Sequence, residues 1–394
     1  MQRFLTIFLL ECYACALVAL QSLGHVRTDE AKYLLNIPYP HPPLVRFILS
    51  LTDGWIFQEI FWRLVFATLV IQAVWIVWSM GVQLARRERL ILCGLWLVCG
   101  AVLFQAGSIM MAPLTALEGL LFCWMAARCD LRPGRIAGWS AVLWLVSLFT
   151  AYQGVLYLPI LIFILHRARL SWISVCLIIG IPLGLLSLYT LSNPLALASL
   201  LNAGTDNTAM PLGRIVGDFL STWAIAGSIA LTVAGLYGMI VTRAWIFLIT
   251  FVLVSLYTVA SVHLYYALLF TPLLLAGCVP LFVKYPGSSR PLLILTLLGS
   301  CLLWPMFHPV FTPDPTRALV QALHLIPTKG DLMINGSFGH DWQYESPVPV
   351  RIFSLDALSE AQAVVCLKMC PPGVANSGEW SRIQDAQTEV YIKQ

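Results

Sequence analysis

The chain has 394 residues, of which 59% are hydrophobic and only 11% are charged, and its formal net charge is +4. Soluble domains carry about 25% charged residues, so this composition excludes an ordinary soluble protein and predicts an all-α polytopic membrane protein. A nucleic-acid partner is not indicated, because the chain has no basic run and its arginines stand between apolar stretches.

Apolar stretches that can cross a bilayer, about 20 residues each, recur along the chain. They lie near residues 4–23, 57–80, 172–191, 219–241, 245–262, 265–283 and 291–308. The first stretch resembles a signal peptide but lacks a small-residue cleavage site, so we interpret it as a retained helix. Segments 90–127 and 136–166 each fit a short helical hairpin, turning near Gly107 and Gln153. These segments together predict about eleven transmembrane helices.

The basic residues are distributed unevenly between the two ends of these helices. With the N-terminus in the cytoplasm, the cytoplasmic loops hold Arg3, Arg86, Arg87, Arg89, Arg128, Arg132, Arg135, Arg167, Arg169, Arg243, Lys284 and Arg290. The short outer loops hold Arg27, Lys32, Arg46, Arg63 and Arg214. Cytoplasmic loops are enriched in Lys and Arg. The excess of twelve basic residues on one side over five on the other therefore predicts a cytoplasmic N-terminus. The first loop and the C-terminal tail then face outward. We expect the membrane to be a bacterial inner membrane, in which case they lie in the periplasm.

The first outer loop, residues 24–56, opens with an acidic pair between two cations. Asp29 can take a proton from an incoming hydroxyl as a general base, with Glu30 beside it. Arg27 and Lys32 supply charges for a phosphate, and Tyr33 follows. As an alternative, Asp29 caps a short helix that runs from Glu30 to Asn36.

A stiff, proline-rich turn follows in the same loop. His41 stands between prolines, which restrict the backbone on both sides. Its imidazole can contact a phosphate or a sugar; the alternative is an ordinary exposed loop histidine. The next segment, residues 44–51, is apolar with Arg46 as its one charge, and this pattern suits a helix in the membrane interface. Arg46 then contacts either a substrate phosphate or lipid head groups.

Residues 312–394 form a segment of different composition, with more charged residues and no apolar span. We predict a helix from Thr312 to about Leu325. Short β-type runs lie at residues 332–334, 350–353, 363–367 and 390–392. We therefore expect a transmembrane domain at 1–311 and a small extracytoplasmic α/β domain at 312–394.

The tail has few side chains that could take part in catalysis. His340 and Asp341 are its one adjacent pair of this kind, and we assign them to an exposed turn. The tail is thus expected to affect acceptor choice rather than the chemistry. Cys366 and Cys370 are its two cysteines, and in an oxidising compartment they either form a disulfide or stay free.

The acidic pair and the His41-Pro-Pro-Leu turn resemble the first outer loop of the GT-C membrane glycosyltransferases. Within that superfamily the likeness is to the protein-mannosyltransferase and aminoarabinose-transferase branch. A late stretch, His263 to Tyr266 followed by Thr271-Pro272, resembles the family's aromatic, proline-containing late helix. The resemblance covers about residues 1–310. It implies that Asp29 is catalytic, that the donor is a polyprenyl-phosphate sugar, and that transfer inverts the anomeric carbon.

Two positions depart from the family pattern. The family's second Asp, at the outer turn between the third and fourth helices, is replaced by a Met-Met-Ala-Pro-Leu run from Met110, and Glu118 is the nearest acid. A frequent Lys of the next hairpin is replaced by Tyr152 or Gln153. No cofactor is therefore predicted, and the sequence does not support a metal site, although a divalent metal would be compatible with this chemistry.

The candidate catalytic residues are therefore Asp29 and Glu30. The candidate donor- and substrate-binding residues are Arg27, Lys32, Tyr33, His41, Arg46, Glu118, His263, Tyr265 and Tyr266. The expected partners are a polyprenyl-phosphate-linked sugar, a glycan, lipid or protein acceptor, and the lipid bilayer. The alternative functions are a transporter or flippase of a lipid-linked sugar, and a membrane scaffold. A transporter is disfavoured because the chain shows neither an internal repeat nor a chain of charges through its spans.

Overall fold

The structure is a computed structural model that describes most of the chain. The described residues are 2–24, 26–37, 40–128, 132–202, 211–260, 266–303, 331–335, 340–346, 349–354, 358–359, 361–366, 374, 380–384 and 389–393. The chain forms two compact units. The first contains residues 1–21 and 38–308, and the second contains residues 22–37 and 309–394.

The helices account for most of the described residues. In chain order they are α1 (Gln2–Gln21), α2 (Thr28–Leu34), α3 (Leu44–Ser50), α4 (Gln58–Gln72), α5 (Val74–Met80), α6 (Arg86–Val98), α7 (Gly100–Gln105), α8 (Met111–Ala127), α9 (Pro133–Thr150), α10 (Leu158–Arg167), α11 (Trp172–Ser192), α12 (Pro194–Asn202), α13 (Leu212–Val241), α14 (Trp245–Ala260), α15 (Ala267–Lys284), α16 (Ser289–Leu302) and α17 (His340–Glu345). Short 3₁₀ helices cover Tyr152–Tyr157 and Pro286–Ser288. Helices α2 and α17 belong to the second unit, and the others belong to the first.

Several of these helices have the length and composition of membrane spans. Among the described residues, five stretches qualify, namely Arg3–Gln21, Gln58–Met80, Trp172–Ser192, Leu212–Val241 and Ala267–Lys284. Shorter apolar helices are Met111–Ala127, Tyr152–Arg167 and Trp245–Val259. The protein is therefore an integral membrane protein built mainly of helices, while the total of eleven spans stays a prediction.

Both helical hairpins expected from the sequence are present in the first unit. The first turns between α7 and α8, at residues 106–110, and the second turns through the 3₁₀ helix between α9 and α10. Pro159 stands in the first turn of α10, where its missing N–H has no intrahelical acceptor to lose. The second turn matters for the candidate site, because it carries Tyr152 and Gln153.

Helix α13 is interrupted, although its apolar pattern predicts one continuous span. Ser228 has φ 54° and ψ 164°, outside helical geometry, and it is buried. A Gly227-Ser228 pair is a recognised cause of a sharp kink. Positive φ is uncommon for a residue other than glycine, so the packing around Ser228 must hold this backbone in place.

The core of the first unit is centred on α15, which packs along α13. Three glycines let the two backbones approach closely. A Cβ on Gly238 would meet the carbonyl oxygen of Gly277, and a Cβ on Gly277 would meet the carbonyl oxygen of Gly235. Small residues at helix crossings are a main means of packing helices within a membrane. The contact therefore depends on the absence of side chains at these positions.

The second unit contains a mixed five-stranded sheet. Its strands are β1 (Asp331–Asn335), β2 (Val350–Ile352), β3 (Ala361–Cys366), β4 (Trp380–Gln384) and β5 (Glu389–Lys393). Their order is β2-β1-β3-β5-β4, with β1 parallel to β2 and β3, and β5 antiparallel to β3 and β4. Four strands coincide with the runs read from the sequence. Strand β4 was missed, because an edge strand with polar residues lacks a clear apolar alternation.

Two details of the tail can be compared with expectation. His340 and Asp341 begin helix α17 instead of lying in an exposed turn, and both are half-buried. Cys366 is disulfide-bonded, which is one of the two alternatives expected for it, whereas Cys370 lies outside the described residues. The helix predicted at 312–325 also lies outside the described residues. The predicted domain limits, 1–311 and 312–394, stay a prediction.

Candidate functional site

The acidic pair of the first loop lies on α2, in the second unit, and its two members have different surroundings. The Glu30 carboxylate accepts a hydrogen bond from the backbone N–H of Arg27, the N-cap residue, at 3.0 Å. Glu30 is 1% exposed. An acid at the third helical position that binds the N-cap N–H is a known helix-starting contact. The idea that Asp29 caps this helix is therefore wrong, because Glu30 does so.

Asp29 is left as the accessible carboxylate of the pair. Its Oδ1 accepts a hydrogen bond from Lys32 Nζ at 3.0 Å, and the two side chains are 29% and 22% exposed. A pair this exposed contributes about 0–1 kcal/mol to stability. Asp29 therefore has a cation beside it and remains partly accessible to solvent, which is compatible with a role in chemistry. Tyr33, on the same helix, is buried.

Helix α2 packs against α17 within the second unit. The tail therefore supports the helix that carries Asp29, in addition to any effect on the acceptor. Sequence reasoning missed this contact, because more than 300 residues separate the two helices and neither has a pattern that identifies its partner.

In the first unit, two tyrosines hold the proline-rich turn at His41. Tyr152 Oη donates to the carbonyl oxygen of Pro40 at 3.0 Å, and Tyr189 Oη donates to the carbonyl oxygen of His41 at 3.2 Å. The rings of His41 and Tyr152 lie 6.3 Å apart. Because His41 is half-buried, it is not an exposed loop histidine. Tyr189 on α11 carries no sequence motif and was not among the predicted residues.

A buried acid lies behind the second hairpin turn. Glu118 on α8 accepts a hydrogen bond from Thr150 Oγ1 at 2.6 Å, and within the described structure its second oxygen has no hydrogen-bond partner. Thr150 is the last residue of α9, directly before the 3₁₀ turn. Glu118 thus contacts the base of the turn that bears Tyr152 and Gln153.

That turn carries a polar cluster at its other side. Gln153 Nε2 donates to the hydroxyls of Tyr257 and Tyr266, at 2.6 and 3.1 Å, and Tyr257 Oη donates to Tyr266 Oη at 3.0 Å. Tyr266 of the late aromatic motif therefore belongs to this cluster, whereas His263 and Tyr265 lie outside the described residues. Gln153 and Tyr257, like Tyr189, are contacts that the predicted set of binding residues did not include.

Arg63, which we expected in a loop, lies with Glu59 on helix α4, and the two form a buried pair. Arg63 Nε donates to Glu59 Oε1 at 3.0 Å, its Nη1 donates to the carbonyl oxygen of Gly107 at 3.3 Å, and both side chains are buried. Arg46, on α3, is half-buried. Among the described residues, no group of three His, Cys, Asp or Glu side chains could hold a metal ion.

We expect Glu59→Ala to destabilise the protein by about 3–5 kcal/mol, because it removes the carboxylate that forms an ion pair with the buried Arg63 guanidinium. Thermal unfolding in detergent measures the effect. Asp218→Ala is the matched control, because Arg214 and Asp218 have the same i,i+4 spacing on α13 but are 68% and 40% exposed. That variant should change stability by less than about 1 kcal/mol. If the two variants lost the same amount of stability, burial of the Glu59–Arg63 pair would not explain the effect.

Comparison with known proteins finds solved structures with a similar fold. No protein-family model and no curated protein matches the chain. Among solved structures, ArnT from Cupriavidus metallidurans bound to undecaprenyl phosphate superposes with a TM-score of 0.66 at 12% identity, over 98% of this chain and 97% of that chain. The same protein in the apo state superposes with a TM-score of 0.65 at 12% identity, over 99% of this chain and 98% of that chain. Arabinofuranosyltransferase AftD from Mycobacteria gives 0.51 at 14% identity, over 98% of this chain and 40% of that chain.

These neighbours define the class of protein to which the fold belongs. The chain is an integral membrane protein that has the fold of ArnT over almost its whole length. The resemblance seen in the first loop is thereby confirmed as a likeness of fold. At 12% identity this likeness does not carry residue roles, so the roles of individual side chains rest on the contacts described above.

Proposed function

We propose that the protein is a membrane glycosyltransferase that moves a sugar from a polyprenyl-phosphate donor to an acceptor at the outer, periplasmic face of a bacterial inner membrane. The observation that carries this proposal is the likeness of fold, over 98% of this chain and 97% of the other, to ArnT solved with undecaprenyl phosphate. A membrane fold suits such a reaction, because the donor's prenyl chain stays in lipid while its sugar must reach the surface.

In the proposed reaction, the acceptor oxygen attacks the anomeric carbon of the donor sugar and Asp29 takes the acceptor's proton. The bond between that carbon and the phosphate oxygen breaks, and the lipid phosphate leaves with the bonding electrons. Attack from the side opposite the leaving group inverts the anomeric carbon. Lys32 supports the charge of Asp29, and Glu30 holds the start of the helix that presents it.

His41 is proposed to contact the donor, and its replacement by Ala should raise the KM for the donor by about tenfold or more, since a hydrogen bond to a charged group contributes about 1.5–3 kcal/mol. The turnover at saturating donor should change less. Kinetics over a range of donor concentrations separate the two effects.

Tyr189→Phe provides the control for His41→Ala. It removes the hydrogen bond to the carbonyl oxygen of His41 but keeps the imidazole. A small effect in Tyr189→Phe beside a large one in His41→Ala supports direct contact with the donor. If both variants raise the KM equally, the histidine acts only through the shape of the turn.

The function is tested with purified protein in lipid vesicles that contain a polyprenyl-phosphate sugar. A glycosyltransferase releases free polyprenyl phosphate from these vesicles in an acceptor-dependent manner. In a separate experiment, mass spectrometry of envelope glycolipids and glycoproteins from cells with and without the gene identifies the acceptor. A transporter or flippase would instead move the intact lipid-linked sugar across the bilayer. Movement without release of polyprenyl phosphate would overturn the proposal.

A further inference from the structure

A pocket of about 660 Å³ opens where α10 ends and α11 begins. It is lined by Ile162, His166, Arg167, Arg169, Leu170, Trp172 and Val175. Tyr189, which holds the His41 turn, lies fourteen residues beyond Val175 on the same helix, or about 21 Å at 1.5 Å per residue. The pocket is therefore at the opposite end of α11 from the proline-rich turn. With the proposed orientation it faces the cytoplasm, and no role has been assigned to it.

The polar part of the pocket is basic. His166 and Arg169 are exposed, and none of the described residues that line the pocket is acidic. Arg167 is already engaged, because its guanidinium donates to the carbonyl oxygens of Ala126 and Arg128 at 3.2 and 3.0 Å. It stabilises the C-terminal end of α8, so His166 and Arg169 are the side chains available for a ligand.

Helix α11 adds to the positive potential of the pocket. Its N-cap residue Ser171 accepts a hydrogen bond from the backbone N–H of Ser174 at 3.2 Å, and Trp172 and Val175 of its first turn line the pocket. A helix of this length carries partial positive charge at its N-terminus, which attracts anions. Side chains and backbone thus favour the same sign of ligand charge.

The remaining walls are apolar and open outward. Trp172 is 75% exposed and its neighbour Ile173 is 74% exposed, while Ile162 is 40% exposed. Tryptophan at the end of an apolar helix is typical of the membrane–water interface. A soluble anion would gain nothing from these walls, whereas a molecule with an anionic head and a hydrocarbon chain would contact both parts.

We propose that this pocket binds the phosphate head group of an anionic membrane lipid. His166 and Arg169 hold the phosphate through charge-assisted hydrogen bonds, and the first acyl carbons lie along Ile162 and Trp172. The site is separate from the proposed transfer chemistry, and binding to it can be measured even if the protein is not a glycosyltransferase.

The test uses the full-length protein in detergent and measures binding of dioctanoyl phosphatidic acid, dioctanoyl phosphatidylcholine and inorganic phosphate. We expect saturable binding of phosphatidic acid that is at least tenfold tighter than that of the other two probes. The double variant His166→Gln, Arg169→Gln should weaken phosphatidic acid binding by about tenfold or more, and Arg169→Lys should retain most of it.

Arg243→Gln is the matched control for Arg169. Both arginines are exposed, have positive φ of 56° and 55°, and stand in a turn after an apolar helix, but Arg243 does not line this pocket. Its replacement should leave phosphatidic acid binding unchanged. Equal losses in Arg243→Gln and the double variant would show only a general attraction of cytoplasmic cations for anionic lipid. Equal affinity for phosphatidic acid and inorganic phosphate, or no saturable binding, would also overturn the proposal.

Discussion

Replacing Asp29 with Asn should lower the turnover of sugar transfer by about 10²-fold or more while the protein stays folded. The change keeps the size of the side chain but removes the group that takes the acceptor's proton, and general-base catalysis contributes about 10²–10⁴-fold. The Asp29–Lys32 contact is partly exposed, so its loss contributes little to stability. The rate of polyprenyl phosphate release at saturating donor measures the effect.

Two variants make the Asp29 result specific. Asp53→Asn removes an exposed acid from the same first loop, and it should leave turnover unchanged. Glu30→Gln weakens the contact that starts α2, and it should act through the position of Asp29, with a smaller loss of turnover than Asp29→Asn. Near-normal turnover in Asp29→Asn would place the base on another residue and refute the assignment.

Replacing Gly238 with Val should largely prevent correct folding of the membrane part. The new Cβ would overlap the carbonyl oxygen of Gly277, and a backbone carbonyl in a packed helix cannot turn aside as a side chain can. Overpacking of a core costs about 1–3 kcal/mol and occasionally more, and at this crossing it separates α13 from α15, the most buried helix among the candidate spans. Thermal stability and the yield of monodisperse protein in detergent report the loss.

Gly184→Val on α11 controls for the effect of a β-branched residue within an apolar helix. Gly184 is exposed, and outside its own helix no described atom lies within 4 Å of the position of an added Cβ. This variant should fold with nearly normal stability. If Gly184→Val and Gly238→Val had the same melting temperature, the close approach of α13 and α15 would not be essential.

The sequence predicted the membrane class, most of the helical segments and the two hairpins. These features follow from local composition, because a bilayer requires long apolar segments with internally satisfied backbone groups. Four of the strands could also be read, because apolar β-type runs stand out in a polar tail. The first-loop motif correctly indicated the fold of the neighbours, since its spacing is local too.

The details of the candidate site could not be read in the same way. Asp29 and Glu30 are adjacent and chemically alike, and only the observed helix start shows that Glu30 caps α2 while Asp29 stays accessible. Likewise, Tyr189 and Tyr257 gain their partners only when distant helices meet. A hydrogen bond between residues more than 100 positions apart leaves no pattern in a single sequence.

For this protein, the sequence by itself determined that the chain enters a membrane, where its apolar helices lie, and that an acidic pair follows the first of them. Tertiary structure alone decided that α2 packs on α17, that α13 breaks at Ser228 and that basic residues surround a pocket beside Trp172. The physical reason is the range of the forces involved. Burial of apolar segments in lipid depends on neighbours in sequence, whereas packing and polar contacts depend on which distant segments come together.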